Sequence, residues 1–327
     1  MENKKKRRKR KILIALLLFL FTGVLFSTST YAWFTANRTV TIEQMDVNVG
    51  AESGLQLSVD GINWKPLVTQ DDIRGAVTTY AAAVNHIPTE AIFPVSTGGV
   101  VDPATGYLNM YKGIVETNGD HYVLSSSKST ESATEAGSFI VFDLFIKITE
   151  ASDVYLTSAS KVISETDKGL QNAARVAFVF QGNGSSSATA GTVQAYKAGA
   201  DSPVYIWEPN ADAHTGAAIK HASDTYGIDN AGERANISYN GVIAEFTKDD
   251  DVVLNSTAEG KFKAMTGLIY TPSTNNTYTK YFSLTEGITK FRVYIWVEGQ
   301  DVDCENDASG SKVSYNIQLS MDNGENA

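Results

Sequence analysis

A run of alternating carboxylates near the C-terminus is the clearest candidate for chemistry in this chain. Within the segment GQDVDCENDASG, just after Glu298, the alternating acids are Asp301, Asp303, Glu305 and Asp307. Calcium binds six to eight hard oxygen ligands, and such a run supplies three or four of them. The spacing does not follow the EF-hand pattern. The run therefore reads first as a solvated acidic hairpin tip, with a loose calcium site as the alternative.

Two histidines form a weaker candidate. His214 and His221 are separated by seven residues in HTGAAIKH, so on a helix they would lie two turns apart on one face. No glutamate stands beside either histidine as a general base, so they read first as two solvated loop histidines, with a zinc site as the alternative. The run Asp249-Asp250-Asp251 reads as a solvated acidic turn.

Familiar enzyme motifs are absent from the sequence. It contains no GxSxG, HExxH, P-loop, dinucleotide fingerprint or CxxC. Carboxylate pairs for glycoside hydrolysis are defined in space rather than in sequence, and no pair stands out. Trp296 alternates with Tyr294 and Arg292 in a β-rich run, which favours a core position over sugar stacking. The prediction is a protein that is not an enzyme, and an extracellular hydrolase ranks behind other functions.

The first 32 residues indicate export. Residues 4–11 read KKKRRKRK, residues 12–26 read ILIALLLFLFTGVLF, and the small and hydroxylic STSTYA follows. A basic region, an apolar region and a small-residue site together are typical of a secretory signal peptide. We predict cleavage between Ala32 and Trp33.

An uncleaved membrane anchor is the alternative reading of residues 12–32. A spanning helix needs roughly 17–25 apolar residues. The strictly apolar run has 15 residues, and the stretch to Ala32 has 21. In either case the basic start stays on the cytoplasmic side. The protein is then either secreted or held at the outer surface, with residues 33–327 as an extracellular domain.

The net charge limits the classes of binding partner, and the cysteine content limits the possible cross-links. Residues 1–32 hold eight basic side chains and one acid; removing their +7 from the net −10 leaves about −17 for the rest. An acidic surface repels nucleic acid and anionic lipid, so neither is expected as a partner. The single cysteine, Cys304, excludes an intramolecular disulfide and reads as a small, partly buried residue, with an intermolecular disulfide or a reactive thiol as the alternative.

The β-rich runs predict an all-β protein. The strongest are SFIVFDLFIKIT at 138–149, RVAFVFQ at 175–181, ITKFRVYIWVEG at 288–299 and KVSYNIQLSM at 312–321. Residues 38–49 alternate as a strand with a bulge near Glu43, and residues 167–173 resemble a short helix. We expect an antiparallel, jelly-roll-like β-sandwich in which the last two runs pair as a C-terminal hairpin.

Two long insertions interrupt this pattern. They cover about 61–137 and 182–240, and the polar stretch 125–137 reads as a solvated loop. If the second insertion were a binding surface, its loop aromatics would line it. Those aromatics are Tyr196, Tyr205 and Trp207.

The N-terminal region resembles a known family. TYAWFT directly after the apolar run, followed by an extended Val/Ile segment, is similar to exported proteins with a SipW-type signal peptide, including the TasA and camelysin group of bacterial matrix proteins. SFIVFDLFIKITEASDVYLT is similar in kind to that group's central strand. RVYIWVEGQDVDCEND resembles a C-terminal motif of exported proteins from Firmicutes and Mollicutes.

The resemblance implies a jelly-roll fold, processing by a SipW-type signal peptidase and a structural role in an extracellular or biofilm matrix. Self-assembly would follow from strand addition to a neighbouring subunit after cleavage. The residues expected in that strand are Trp33, Phe34, Val40 and Ile42. The alternative function is a membrane-tethered adhesin or glycan-binding module. No cofactor is expected apart from the calcium considered above.

Overall fold

The architecture is taken from a computed structural model of the chain. The residues that it describes are 42–88, 92–118, 121–131, 138–166, 168–226, 240–246, 260–274, 276–304 and 310–325. Several sequence predictions concern residues outside these ranges. They involve Ala32, Trp33, Phe34, Val40, the run 249–251, Glu305 and Asp307.

Strands dominate the described residues. In chain order they are β1 (Ile42–Ala51), β2 (Gln56–Ser58), β3 (Leu67–Thr69), β4 (Val101–Asp102), β5 (Tyr107–Leu108), β6 (Met110–Asn118), β7 (His121–Ser129), β8 (Ile140–Ile148), β9 (Ser152–Leu156), β10 (Lys161–Ser164), β11 (Ala174–Gly184), β12 (Val204–Glu208), β13 (Asn240–Val242), β14 (Phe262–Ala264), β15 (Ile269–Tyr270), β16 (Thr279–Leu284), β17 (Gly287–Val297) and β18 (Ser311–Ser320).

Helices are short and few within the described ranges. They are α1 (Gln70–Gly75), α2 (Ala190–Gln194) and α3 (Gly216–Tyr226), and a 3-10 turn covers Ala76–Thr78. Thr69 caps α1 by accepting from the backbone N–H of Asp72, whose carboxylate accepts from Thr69 in return. None of these helices is long and apolar enough to cross a membrane.

Most of the strands belong to two six-stranded sheets. Sheet A has the order β16-β9-β18-β1-β3, with β10 also pairing with β18, and sheet B has the order β15-β12-β11-β17-β8-β2. The long pairings within sheet B are antiparallel, as between Gly287–Ile295 and Ile140–Ile148. β1 runs parallel to β18, however, and β15 runs parallel to β12. The predicted all-β architecture is confirmed, while the purely antiparallel arrangement is wrong at these two pairs.

The main core lies between the two sheets. It joins Met45, Val47 and Val49 of β1 to the inward residues of β8, β11 and β17, such as Phe142 and Val293. These side chains are at most 2% exposed. Burying an aliphatic or aromatic side chain of this size contributes roughly 1.5–3 kcal/mol. This core therefore fixes which face of each strand points inward.

The other face of sheet B is also covered. Val141, Ala177, Tyr294 and Trp296 alternate with the inward residues and form a second cluster with residues of the insertions, among them Met110. Strands buried on both faces read as continuous apolar runs rather than alternating ones. The exceptions within these runs are charged residues on the covered face, among them Asp143, Arg175 and Arg292.

Several local predictions are confirmed. β1 has the expected register shift between Ile42 and Gln44. Val313, Tyr315, Ile317 and Leu319 of β18 are all buried on one face, and Trp296 is fully buried in the core. Cys304 is buried as a free thiol.

Other local predictions are wrong. The expected C-terminal hairpin does not form, because β17 belongs to sheet B and β18 to sheet A. Residues 168–173 contain turns rather than a helix, and 125–129 continue strand β7 instead of a loop. The second insertion is not wholly peripheral either, since β12 at 204–208 pairs with β11 inside sheet B.

Candidate functional site

The acidic segment after β17 is buried rather than solvated. Asp301 is 4% exposed and Asp303 is 1% exposed, so the predicted solvated hairpin tip is wrong at both residues. A tight turn holds them: the backbone N–H of Asp303 donates to Asp301 Oδ1 at 2.9 Å. Glu305 and Asp307, the other two predicted calcium ligands, lie outside the described residues.

Arg175 at the start of β11 is the cation that faces this turn. Its Nη2 lies 2.5 Å from Asp301 Oδ2 and 3.0 Å from Glu208 Oε1 at the end of β12. Its Nη1 donates to the carbonyl oxygens of Asn172 and Ala174. Strand pairing between β11 and β12 places Arg175 and Glu208 at the same end of sheet B. A fully buried guanidinium is thus held by two carboxylates from separate segments.

His214 completes this group from the segment that precedes α3. Its Nδ1 lies 2.7 Å from Asp303 Oδ2, and the other Asp303 oxygen accepts from the backbone N–H of Thr215 at 2.8 Å. Ligand atoms of His214, Asp301 and Asp303 all lie within 4.8 Å of one another. We call Arg175, Glu208, His214, Asp301 and Asp303 the Arg175 cluster.

Burial and mutual repulsion shift the titration of these acids. Burial raises the pKa of Glu208 to about 7, and Asp301 adds to the rise while Arg175 opposes it. Burial also raises the pKa of Asp303. Burial alone would lower the pKa of His214, but the bond to Asp303 and the nearby acids outweigh it, so the pKa is raised.

Glu298 is close to the cluster but has its own partners. Its carboxylate accepts from Trp296 Nε1 and from the backbone N–H of Gln300, both at 3.0 Å. It is fully buried, and this burial raises its pKa to about 7. Glu298 therefore does not point a free carboxylate at the His214 group.

A second charged group lies on the same covered face of sheet B. Arg292 of β17 pairs with Asp143 of β8 at 2.6 Å and with Glu131 at 2.5 Å. Lys290 lies 3.1 Å from Asp143, and Tyr80 donates to Asp143 at 2.9 Å. We call Glu131, Asp143, Lys290 and Arg292 the Arg292 cluster.

The Arg292 cluster is balanced, with two cations and two acids. Burial would raise the pKa of Asp143, but Arg292 and Lys290 outweigh it and hold the pKa below its usual value. Lys290 also donates to the carbonyl oxygens of Gln194 and Tyr196 at 2.7 and 3.0 Å. The charges of this cluster are therefore compensated in place.

A cleft of about 150 Å³ opens over the Arg292 cluster. Its aromatic walls are Tyr80, Tyr107 and Tyr196, and Thr105, Gln181 and Lys197 add polar groups. Tyr107 lies over the Arg292 guanidinium, 4.6 Å from its ring centroid. Of the loop aromatics predicted to line a binding surface, only Tyr196 reaches this cleft. Trp207 is buried in the main core, and Tyr205 packs against it.

Sequence reasoning found Asp301, Asp303 and His214 but placed them in separate sites. His221 lies within α3, and its side chain is outside the described part. Arg175, Glu208 and the Arg292 cluster were missed. The available signal was a charge inside an apolar strand, as with Asp143 in IVFDLFIKI.

No family model, curated protein or solved structure matches this chain.

Proposed function

We propose that the protein is an exported, non-enzymatic structural protein of the bacterial cell surface or extracellular matrix, a fibre subunit that assembles by N-terminal strand addition. The proposal combines the signal-like start and the family resemblance with one feature of sheet A. The two packed sheets also support the jelly-roll-like arrangement that the resemblance implies.

The supporting feature is the uneven pairing of β1. One edge of β1 pairs with β18 from Ile42 to Ala51. Its other edge pairs with β3 at Asn48, Val49 and Gly50, and β3 is only three residues long. Within the described ranges, the first half of β1 therefore has a strand on one side only. Such an edge is where an added strand can pair.

In the sequence, the predicted assembly strand immediately precedes β1. Ile42 already pairs with Ser311 of the same chain, so it belongs to the subunit's own sheet. The segment available for a neighbour is then residues 33–41, which contain Trp33, Phe34 and Val40. In this proposal, SipW-type cleavage after Ala32 frees that segment from the membrane.

Assembly is tested on protein exported from a bacterial host. Mass spectrometry of the N-terminus and light scattering after size exclusion should give a start at Trp33 and large, polydisperse species. Deletion of residues 33–41 should give monomers with an unchanged melting temperature. A matched control replaces Lys161 and Lys168, two exposed residues outside the deleted segment, with serine and should still assemble. Monomeric protein that starts at Trp33 and stays monomeric at high concentration would reject the proposal.

A membrane-tethered glycan-binding module is the second candidate, and the cleft over the Arg292 cluster favours it. Aromatic side chains with an apolar face and a polar tip suit contacts to a sugar ring. A volume of about 150 Å³ is below the usual range for drug-sized ligands. The cleft would thus admit a single sugar unit.

Glycan binding is tested on an array of bacterial and host glycans. Tyr107→Ala should abolish any signal, whereas Tyr155→Ala on strand β9 should keep it. An intact N-terminus, monomeric protein and a Tyr107-dependent signal would favour this candidate over the fibre subunit. The absence of a signal on the array would remove it.

A further inference from the structure

We propose that His214, Asp301 and Asp303 form a structural zinc site that fastens the second insertion to the end of sheet B. The site replaces the loose calcium site predicted from the acidic run alone. It is independent of the fibre proposal.

The geometry of the three side chains fits a single small ion. Their ligand atoms lie within 4.8 Å of one another, and two ligands of one zinc ion lie about 3.3 Å apart in a tetrahedral site. All three side chains are at most 5% exposed. They come from two distant segments, the one before α3 and the turn after β17. An ion bound here would link those segments directly.

The buried charges around the site would be balanced by a divalent cation. Asp301, Asp303 and Glu208 are three buried carboxylates, and Arg175 is the one permanent cation that pairs with them in the described part. When the three acids are ionised and His214 is neutral, which is the state that can bind a metal, the group has two more negative charges than positive ones. Isolated charges are costly to bury, so they are normally paired or bound to a metal. One divalent ion cancels both charges.

Glu208 gives an independent indication of a missing cation. It is 1% exposed, yet neither of its oxygens accepts a hydrogen bond from the described residues. Arg175 Nη2 comes within 3.0 Å of Oε1 without hydrogen-bond alignment. Glu208 Oε1 and Asp301 Oδ2 both lie within 3.0 Å of the same atom, Arg175 Nη2, so the Glu208 carboxylate faces the site. An ion, or water bound to it, would supply the partner that this carboxylate lacks.

The ligand types select zinc over calcium. Calcium sites are built from oxygen ligands, whereas an imidazole nitrogen with carboxylates suits zinc. Two ligands of one ion lie farther apart than the 2.7 Å between His214 Nδ1 and Asp303 Oδ2. Zinc would therefore take the place of the proton shared by these two atoms, and that proton would pass to the buffer.

A metal link has a structural purpose in this chain. With Cys304 as its single cysteine, the chain forms no intramolecular disulfide. A structural metal is another kind of cross-link that can stabilise a fold. Here it would hold the segment around His214 against the turn that separates β17 from β18.

The test is calorimetric titration of the full chain, purified in mild detergent and stripped of metal with EDTA. Zinc chloride should bind with one ion per chain and raise the melting temperature, and calcium chloride should give neither effect. His214→Ala should weaken zinc binding by about 100-fold or more, since it removes a ligand. The matched control Asp153→Asn neutralises a surface acid on β9 and should bind zinc like the parent chain.

Each outcome bears on the assignment. Wild-type protein that binds no zinc at 100-fold excess, or that binds calcium in preference, would overturn it. Equal zinc affinity in His214→Ala would also overturn it. Should His214→Ala fail to fold, His214→Gln retains a polar group toward Asp303, and its zinc affinity should fall in the same way.

Discussion

The two charged clusters on the covered face of sheet B differ in how their charges are compensated. In the Arg292 cluster, two acids face two cations, and the surrounding carbonyl oxygens accept the remaining donors. In the Arg175 cluster, three acids face one permanent cation, and Glu208 accepts no hydrogen bond from the described residues. Similar burial with a different charge balance indicates different roles. The first cluster holds the fold together, and the second is arranged to accept a cation.

Breaking the balanced cluster should have the largest effect. Arg292→Met leaves Glu131 without its cation and Asp143 with only Lys290, and both acids are buried. Removal of one partner from a buried ion pair costs about 3–5 kcal/mol. We expect the free energy of unfolding in urea to fall by that amount. A loss below about 1 kcal/mol would mean that this cluster does not support the fold.

The pH dependence of stability should differ between Glu298, which lies near the Arg175 cluster, and Asp143 of the Arg292 cluster. Burial raises the pKa of Glu298 from 4.5 to about 7. Between these values the unfolded chain releases the proton that the folded chain keeps, so stability falls as pH rises and levels off above about 7. The expected loss is about 3 kcal/mol.

Urea unfolding from pH 5 to 8 measures this slope. Glu298→Gln should make it shallower, and Glu208, whose pKa burial also raises to about 7, accounts for part of the slope that remains. Asp143→Asn should leave it unchanged, because the lowered pKa of Asp143 keeps that carboxylate ionised in both states over this range. An unchanged slope in Glu298→Gln would contradict the assignment.

Neutralising an acid in the Arg175 cluster should change the free energy of unfolding least, and it should stabilise the protein where Arg292→Met destabilises it. In EDTA at pH 8, Glu208→Gln should raise the free energy of unfolding by about 1 kcal/mol, because it removes a buried charge that lacks a hydrogen bond. Its counterpart Asp143→Asn should lower it under the same conditions. If both substitutions destabilise the protein equally, the distinction between the clusters is wrong.

Local pattern predicted much of the fold. β8, β11 and β18 were evident from their Val, Ile, Phe and Tyr content, and the β1 bulge from a break in alternation. Pairing partners were not evident, because they depend on which sheet each strand joins. β17 and β18 are consecutive and read as a hairpin, yet they lie in different sheets, and β18 pairs with the first described strand.

The site was harder to predict for the same reason. An acidic turn such as 301–303 normally faces water, and here the residues that bury it come from segments far away in the sequence. Asp303 meets His214 across 89 residues, and Arg175 meets Asp301 across 126. The one available signal was the presence of charges within otherwise apolar strands, as in RVAFVF and ITKFRVYIWV, and it gives no partner for either arginine.

A crystal structure grown with zinc chloride would test the distinction between the clusters most directly. Anomalous difference maps at the zinc edge should contain a peak among His214, Asp301 and Asp303 and none beside Asp143 and Glu131. A map with no peak at the first position, or with a peak at the Arg292 cluster, would contradict the account of how the two clusters differ.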